Sequence, residues 1–256
     1  MEINSWLQRM ATSNQYKDFV SVVDLGNTTE GRSMLALKIG NPGNNQKVAF
    51  WIDAGIHPRE WISIAVAIWI IDQLVHTRPK YLDNVDLYIL PVLNPDGYEF
   101  TRNYDRFWRH TRSNCTSLSP YECCAYITLH SFFGLWMYSY SYSIEVDPPH
   151  KDELVALSER AVAAMSQVGN TNYSAITSAE LYPAAGVSDD WVTGVLGVKY
   201  SFTIELPPDD PHLNEEGFVV DESLIVPIAK EAWAGISTVI DRVVQESQCP
   251  CACCGN

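Results

Sequence analysis

His57-Pro58-Arg59-Glu60 sets an imidazole and a carboxylate three positions apart, at the end of the apolar run 47–56. Two such groups turn toward one point where a helix starts, because residues i and i+3 share a face. A zinc ion that works on substrates takes three protein ligands and keeps one position open. His57 and Glu60 offer two, and His130, which closes a second apolar run at 125–130, offers the third. Glu205 lies inside another such run, Tyr200-Ser201-Phe202-Thr203-Ile204-Glu205-Leu206. A carboxylate there is costly to bury, so it is either paired or functional. Taken singly, these residues leave plainer alternatives open: a solvated helix start, a structural histidine and a paired glutamate.

Those side chains need elements to hold them. Residues 47–56, 85–93, 125–130 and 198–206 are short apolar runs rich in β-branched and aromatic residues, the pattern of buried strands. Helical patterns cover 61–75, 151–167 and 222–245. In the last, Leu224, Ile225, Ile228, Ala229, Ala232, Ile236, Val239 and Ile240 form a stripe that predicts a core-facing side. Residues 21–25 and 34–39 flank a turn at 27–31 like an edge hairpin. Strands alternating with helices, with no repeats and no linker, predict a single α/β domain. Its central β-sheet is expected to be mixed and flanked by helices on both faces. One link stands out. From 93 to 125 the chain reads as polar and turn-like, with no helix for the crossover that parallel neighbours require.

The 256 residues, 46% of them hydrophobic, supply a sizeable core. A net charge of −14 argues against nucleic acid and anionic membrane surfaces as partners. No run approaches the length needed to span a bilayer, and residues 1–20 lack the apolar segment of a signal peptide. Three sequons, at Asn27, Asn114 and Asn172, lean instead toward a secreted, glycosylated protein. Seven cysteines fall in two groups: Cys115, Cys123 and Cys124, then Cys249, Cys251, Cys253 and Cys254. The odd count leaves at least one thiol without an intrachain partner. Irregular spacing without a histidine favours a frayed or disulfide-linked tail over a zinc knuckle.

Six segments, in order, resemble the zinc metallocarboxypeptidases of the pancreatic carboxypeptidase A and B type. They are Gly55-Ile56-His57-Pro58-Arg59-Glu60-Trp61-Ile62, Asn94-Pro95-Asp96-Gly97-Tyr98 and Phe107-Trp108-Arg109-His110-Thr111-Arg112-Ser113, then Leu129-His130-Ser131, Leu181-Tyr182-Pro183-Ala184-Ala185-Gly186 and 199–206. The resemblance implies a zinc carboxypeptidase fold, one Zn2+ held by His57, Glu60 and His130, and Glu205 as general base. It implies Arg109 as the group that stabilises the oxyanion, and substrate contacts from Arg59, Tyr182, Ser131 and Phe132. Phe132 stands where the family often has tyrosine. Asp189 matches the aspartate that B-type enzymes carry deep in the pocket for a terminal Lys or Arg; its plainer reading is that Ser188-Asp189-Asp190 caps a helix turn. The expected partners are peptide or protein C-termini, the expected state a secreted monomer.

The chain departs from the family at one place. After the Trp-Arg segment the family carries an Asp-x-Asn-Arg segment and a helix, whereas here Glu122-Cys123-Cys124 leads straight into Ala125. By resemblance, the absent Asn and Arg would grip the substrate's free carboxylate, and the absent Asp would orient the first zinc-binding histidine. Cys124 resembles one half of a family disulfide whose partner lies in the absent block. Arg102, Arg106 and Arg112 are candidate substitutes for the carboxylate grip. The expectation is a peptidase domain over 1–246, internally shortened, followed by a Cys-rich tail at 247–256. The alternative is a non-catalytic zinc-binding relative or truncated splice product.

Overall fold

Apolar side chains on alternate strand positions, matched to helices with one apolar stripe, decide the architecture. The structure, a computed structural model, describes residues 2–43, 47–112, 124–210 and 212–247. Helix α1 (Glu2–Thr12) leads into the hairpin β1 (Val20–Asn27) and β2 (Ser33–Ile39). Next come β3 (Val48–Ala54), α2 (Trp61–Thr77), β4 (Val85–Leu90), α3 (Pro95–Asn103), β5 (Ala125–Ser131) and β6 (Leu135–Tyr138). The chain continues through α4 (Lys151–Ser166), β7 (Ser174–Thr177), α5 (Ser178–Leu181), α6 (Ser188–Gly194), β8 (Tyr200–Leu206) and α7 (Ile225–Ser247). The described strands form one mixed sheet of eight, in the order β1-β2-β4-β3-β5-β8-β6-β7.

The two faces of the sheet differ because side chains alternate along each strand. Phe50, Ile52 and Ala54 of β3, Ala125, Ile127 and Leu129 of β5, and Tyr200, Phe202, Ile204 and Leu206 of β8 enter the main core. Helices α2, α4 and α7 cover that face, and each large aliphatic side chain buried there contributes roughly 1.5–3 kcal/mol. The intervening positions, including Asp53, Thr128, His130, Ser201, Thr203 and Glu205, lie on the other face. A smaller cluster there packs Tyr126 against Val192 of α6 and Val198. The domain therefore has a greasy side and a polar side, and the polar side holds the candidate chemistry.

Several expectations need correction. A helix, α3, does occupy the 93–125 link: Asn94 caps it, its side chain accepting from Gly97 N at 2.9 Å, and Pro95 takes the first turn. β4 and β5 are not neighbours, because β3 lies between them and is parallel to both. The α7 stripe begins at Ile225, half-buried against the core, since Leu224 is exposed and precedes the helix. By length and composition alone this helix could cross a membrane. Its stripe of Ile228, Ala229, Ala232, Ile236, Val239 and Ile240 is instead spent in the core. Six of the seven cysteines, the Asn114 sequon, and the tail from 248 onward lie outside the described residues.

Candidate active site

The β3 strand ends at Ala54, and Gly55 turns the chain at φ +67°, a left-handed conformation that suits glycine. His57 and Glu60 then face one another across a turn closed by Glu60 N donating to His57 O at 3.1 Å. The pair thus sits in the turn before α2, not on the helix, and Pro58 belongs to that turn. The consequence for the side chains is the one expected. His57 Nδ1 lies 2.8 Å from Glu60 Oε1, and His130 Nδ1 lies 3.1 Å from both Glu60 Oε2 and His57 Nδ1.

Two imidazole nitrogens and a carboxylate so close together suit a cation better than each other. Ligands arranged tetrahedrally at about 2.0–2.1 Å from zinc stand about 3.4 Å apart. The separations here are close to that, and all three ligand atoms lie within 4.8 Å of one another. Glu60 is buried, and Ser131 N donates to its Oε2 at 3.3 Å, which fixes the carboxylate. Burial opposes the Glu60 charge, but His130 and His57 together hold its pKa down to about 2. Burial likewise opposes the charge on His130, yet Glu60 first, then Glu205 and Asp53, lift it to about 9. His57 goes the other way, lowered chiefly by burial. Without metal, Glu60 and His130 form a buried ion pair and His57 is the neutral member.

Strand register supplies the fourth group. β5 and β8 run parallel with His130 opposite Glu205, so both project from the same face side by side. Glu205 is partly exposed, but its Oε2 is buried without a hydrogen-bond partner. Burial, reinforced by the Glu60 charge and only partly countered by His130 and Arg109, raises its pKa to about 8. Arg109 reaches in from the segment after α3, with Nη1 3.9 Å from Glu60 Oε1. Five groups able to do hydrolytic chemistry therefore converge from four separate parts of the chain.

The remaining expected residues surround this centre. The Arg59 guanidinium lies 3.9 Å from the Phe218 ring centroid, and its Nε is buried without a hydrogen-bond partner. Ser131 is buried with an unpartnered hydroxyl. Phe132 is also buried, packed edge-on against Phe218, so it forms a wall and not an open contact. Tyr182, just after α5, is exposed.

Asp189 does not cap α6: Val187 holds that position and no side chain caps the helix. Asp189 is buried instead and accepts from Ser178 Oγ at 3.0 Å. Its neighbour Asp190 braces the 141–142 backbone, accepting from Ser141 N at 2.7 Å. The three substitute anchors are engaged elsewhere. Arg106 donates to the carbonyls of Arg59 and Phe218, Arg112 pairs with Glu30, and Arg102 pairs with Glu99.

Sequence reasoning missed Asp53, on the same sheet face and opposite Thr128 in the register. It is buried, its Oδ2 accepts from Trp51 Nε1 at 3.0 Å, and its Oδ1 has no hydrogen-bond partner. Burial raises its pKa. Thr128 helps to hold it down without reaching hydrogen-bond geometry. An acidic residue inside the apolar run 47–56 was the available signal.

Comparison with known proteins agrees with this geometry. A profile of the zinc carboxypeptidase family matches residues 3–124 and 117–235. Carboxypeptidase B of Astacus astacus is 33% identical over 296 aligned positions, covering 94% of this chain and 95% of that protein. Human carboxypeptidase A1 is 31% identical, covering 95% of this chain and 69% of that protein. The solved structure of bovine thrombin-activatable fibrinolysis inhibitor in complex with tick carboxypeptidase inhibitor superposes with a TM-score of 0.83 at 31% identity. That match covers 95% of this chain and 96% of the other. An alignment of 296 positions exceeds the 256 residues present, and the profile match breaks into two pieces that meet at 117–124. Both features agree with a block missing just before β5.

Proposed function

The chain belongs to the zinc carboxypeptidase family, and from that premise we propose that it removes the C-terminal residue from peptides and proteins, with Lys or Arg preferred. The observation that carries the proposal is the convergence of His57, Glu60 and His130 beside Glu205 and Arg109. A zinc ion held by the first three would supply Lewis acidity at the scissile carbonyl and make water more acidic. Glu205, with its raised proton affinity, takes the proton of the attacking water and returns it to the leaving amine. Arg109 offers its guanidinium to the oxyanion that forms at the carbonyl carbon. Because water is the nucleophile, no acyl-enzyme forms.

Asp189 supports the preference for a basic terminus. It is a buried carboxylate with one hydroxyl partner and no ion pair among the described residues. A substrate ammonium or guanidinium would supply the missing charge. Arg59, Tyr182, Ser131 and Phe132 frame the bound peptide. The peptidase unit spans 1–246, acts as a monomer and is secreted. Asn27 and Asn172, both exposed, are accessible to glycosylation.

A second reading, a zinc-binding relative without peptidase activity, draws on the engagement of Arg102, Arg106 and Arg112 elsewhere. Mass-spectrometric hydrolysis of peptides ending in Arg, Lys, Phe or Glu decides between them, run with a chelator control and a Glu205→Gln variant. Chelator-sensitive release of Arg or Lys, lost in the variant, is the expected result. A folded, zinc-loaded protein that releases nothing would leave the non-catalytic reading.

A further inference from the structure

Arg109 is useful only if its guanidinium is held at a fixed place relative to the metal ligands. Yet it lies on an irregular segment, and the segment carrying His57 is irregular too. Rigid elements do not connect the two, so something else has to. Asn94 occupies the junction. Its Oδ1 accepts from Gly97 N at 2.9 Å, which caps α3. Its Nδ2 donates to Ile56 O at 3.3 Å and to His110 O at 3.2 Å. Ile56 immediately precedes His57, and His110 immediately follows Arg109. One side-chain amide therefore ties the first metal-ligand segment, the arginine segment and the start of α3 together.

Backbone contacts make the same junction tight. Asn94 N donates to Gly55 O at 3.2 Å, so the residue is pinned to the His57 turn by its main chain as well. A Cβ at Gly97 would fall 2.6 Å from both Pro58 Cγ and Asn94 Nδ2, so glycine is what lets α3 approach the turn. Farther out, Phe100 packs edge-on against Trp108, and Trp108 Nε1 donates to His110 O at 2.7 Å. His110 O thus receives two donors, one of them Asn94. A carbonyl with two donors holds its peptide plane in one orientation, and that plane starts one Cα beyond Arg109, which restricts how the segment carrying Arg109 can move.

We propose that Asn94 is a positioning residue for the hydrolytic reaction, fixing Arg109 against the His57–Glu60 turn through its two amide donations. The inference rests on the peptidase reading for its kinetic consequence but not for the tether itself. An amide suits the task uniquely among similar-sized side chains, because it accepts from the helix while donating twice. Aspartate keeps the cap and the shape but loses both donations, placing a carboxylate oxygen against two carbonyl oxygens.

Asn94→Asp therefore separates capping from tethering, since aspartate caps helices about as well as asparagine. Hydrogen exchange on the full chain reads the tether without reference to activity. The expected result is faster exchange at 55–60 and 105–112 in Asn94→Asp, with α3 unchanged; unchanged exchange in those two segments overturns the proposal. Kinetics on the zinc-loaded protein read the consequence. Asn94→Asp is expected to lower kcat at least tenfold with little change in KM, and to cost nothing further in an Arg109→Gln background. A loss of the same factor in both backgrounds would mean Asn94 acts independently of Arg109, which also overturns the proposal. Should Asn94→Asp fail to fold, Asn94→Ser supplies a cap too short to reach both carbonyls and is judged by the same two readouts. A wild type that hydrolyses nothing refutes the peptidase reading, while hydrogen exchange still decides the tether.

Discussion

Replacing Glu205 by glutamine should abolish hydrolysis and, in the metal-free protein at alkaline pH, raise stability. Burial and the neighbouring Glu60 charge lift the Glu205 pKa from 4.5 to about 8. A carboxylate whose folded pKa is raised contributes favourably below its unfolded pKa, and that contribution is lost as pH climbs toward the folded value. The unfolded chain ionises at about pH 4.5 while the folded one holds its proton, so each pH unit between costs about 1.4 kcal/mol. Across the whole interval that amounts to roughly 4–5 kcal/mol at pH 8.5. His130 and Glu60 share the same charge balance and relax part of it, leaving about 3–4 kcal/mol. Glutamine never ionises but buries an amide with an unmet hydrogen bond, at about 1–3 kcal/mol. Taking the middle of each range, the net gain is about 1–2 kcal/mol at pH 8.5, and it reverses to a loss near pH 5. At roughly 2–4 °C per kcal/mol for a chain of this length, Glu205→Gln should melt about 2–8 °C above wild type at pH 8.5. The assay is thermal unfolding of chelator-treated protein at half-unit steps from pH 4.5 to 9. Adding zinc should shrink the gap, because a nearby divalent cation favours the ionised carboxylate that only the wild type has. A gap independent of pH would refute the reasoning, for Glu205 would then not be carrying the strained charge.

Arg109→Gln should lower kcat about 100- to 1000-fold, the usual cost of removing one oxyanion donor, while KM and zinc content stay near wild type. A matching rise in KM would place Arg109 on the ground state instead. Asp189→Asn should cut the preference for terminal Arg or Lys over Phe by about 10- to 100-fold, the worth of a charge-assisted hydrogen bond, as measured by competition between paired peptides. Unchanged selectivity would assign the basic preference to another residue. Because Arg102, Arg106 and Arg112 are engaged elsewhere, a free C-terminal carboxylate should be favoured over its amide by less than about tenfold in kcat/KM, given a hydrogen-bonded charge pair worth about 1.5–3 kcal/mol. Strong rejection of the amide would show that a cation outside this set grips the terminus.

The chemistry was legible in the sequence where residue type and strand pattern coincide. His130 and Glu205 each close or interrupt an apolar run, and the register that sets them side by side follows from both strands being parallel and central. His57 and Glu60 were legible as a pair, although a turn and not a helix brings them together. β6 and β7 were not legible, because four residues each give too few alternations to distinguish a strand from a loop. α3 was overlooked because its polar surface hides a helical period, and only the Asn94-Pro95 start signals it. Asp53 carried one signal, an acidic residue inside an apolar run, whereas the role of Asn94 emerged only after folding, since Ile56 and His110 lie 38 and 16 residues away in sequence. Asp189 was singled out by the family resemblance, whereas by residue type alone the acidic start of α6 reads as a cap until the neighbours of the carboxylate are known.

The missing block falls where the fold can lose it without disturbing the metal trio. His130 is placed by β5, and β5 is held on one side by β3, from Phe50 opposite Ala125 to Ala54 opposite Leu129, and on the other by β8 along its whole length. Both ladders are continuous, and the buried residues of the three strands share one core. His57 and Glu60 are placed by the end of β3 and the start of α2, and the β4–β5 connection touches them through Asn94 and Arg106, which precede the missing block in sequence. The connection therefore both returns the chain across β3 and, through Asn94 and Arg106, braces the His57 turn. What it would carry by family resemblance is the grip on the substrate's free carboxylate. On the proposed reading, shortening it separates two properties that the family resemblance joins: hydrolysis of a peptide bond, assigned to the strand ends and Arg109, and the demand that the bond be the last one. Arg109 itself lies on that connection, six residues beyond the end of α3 at Asn103, and the Asn94 junction holds its segment to the His57 turn. The acid-versus-amide comparison is accordingly the sharpest probe of this chain, because it isolates terminal recognition while leaving the hydrolytic centre untouched.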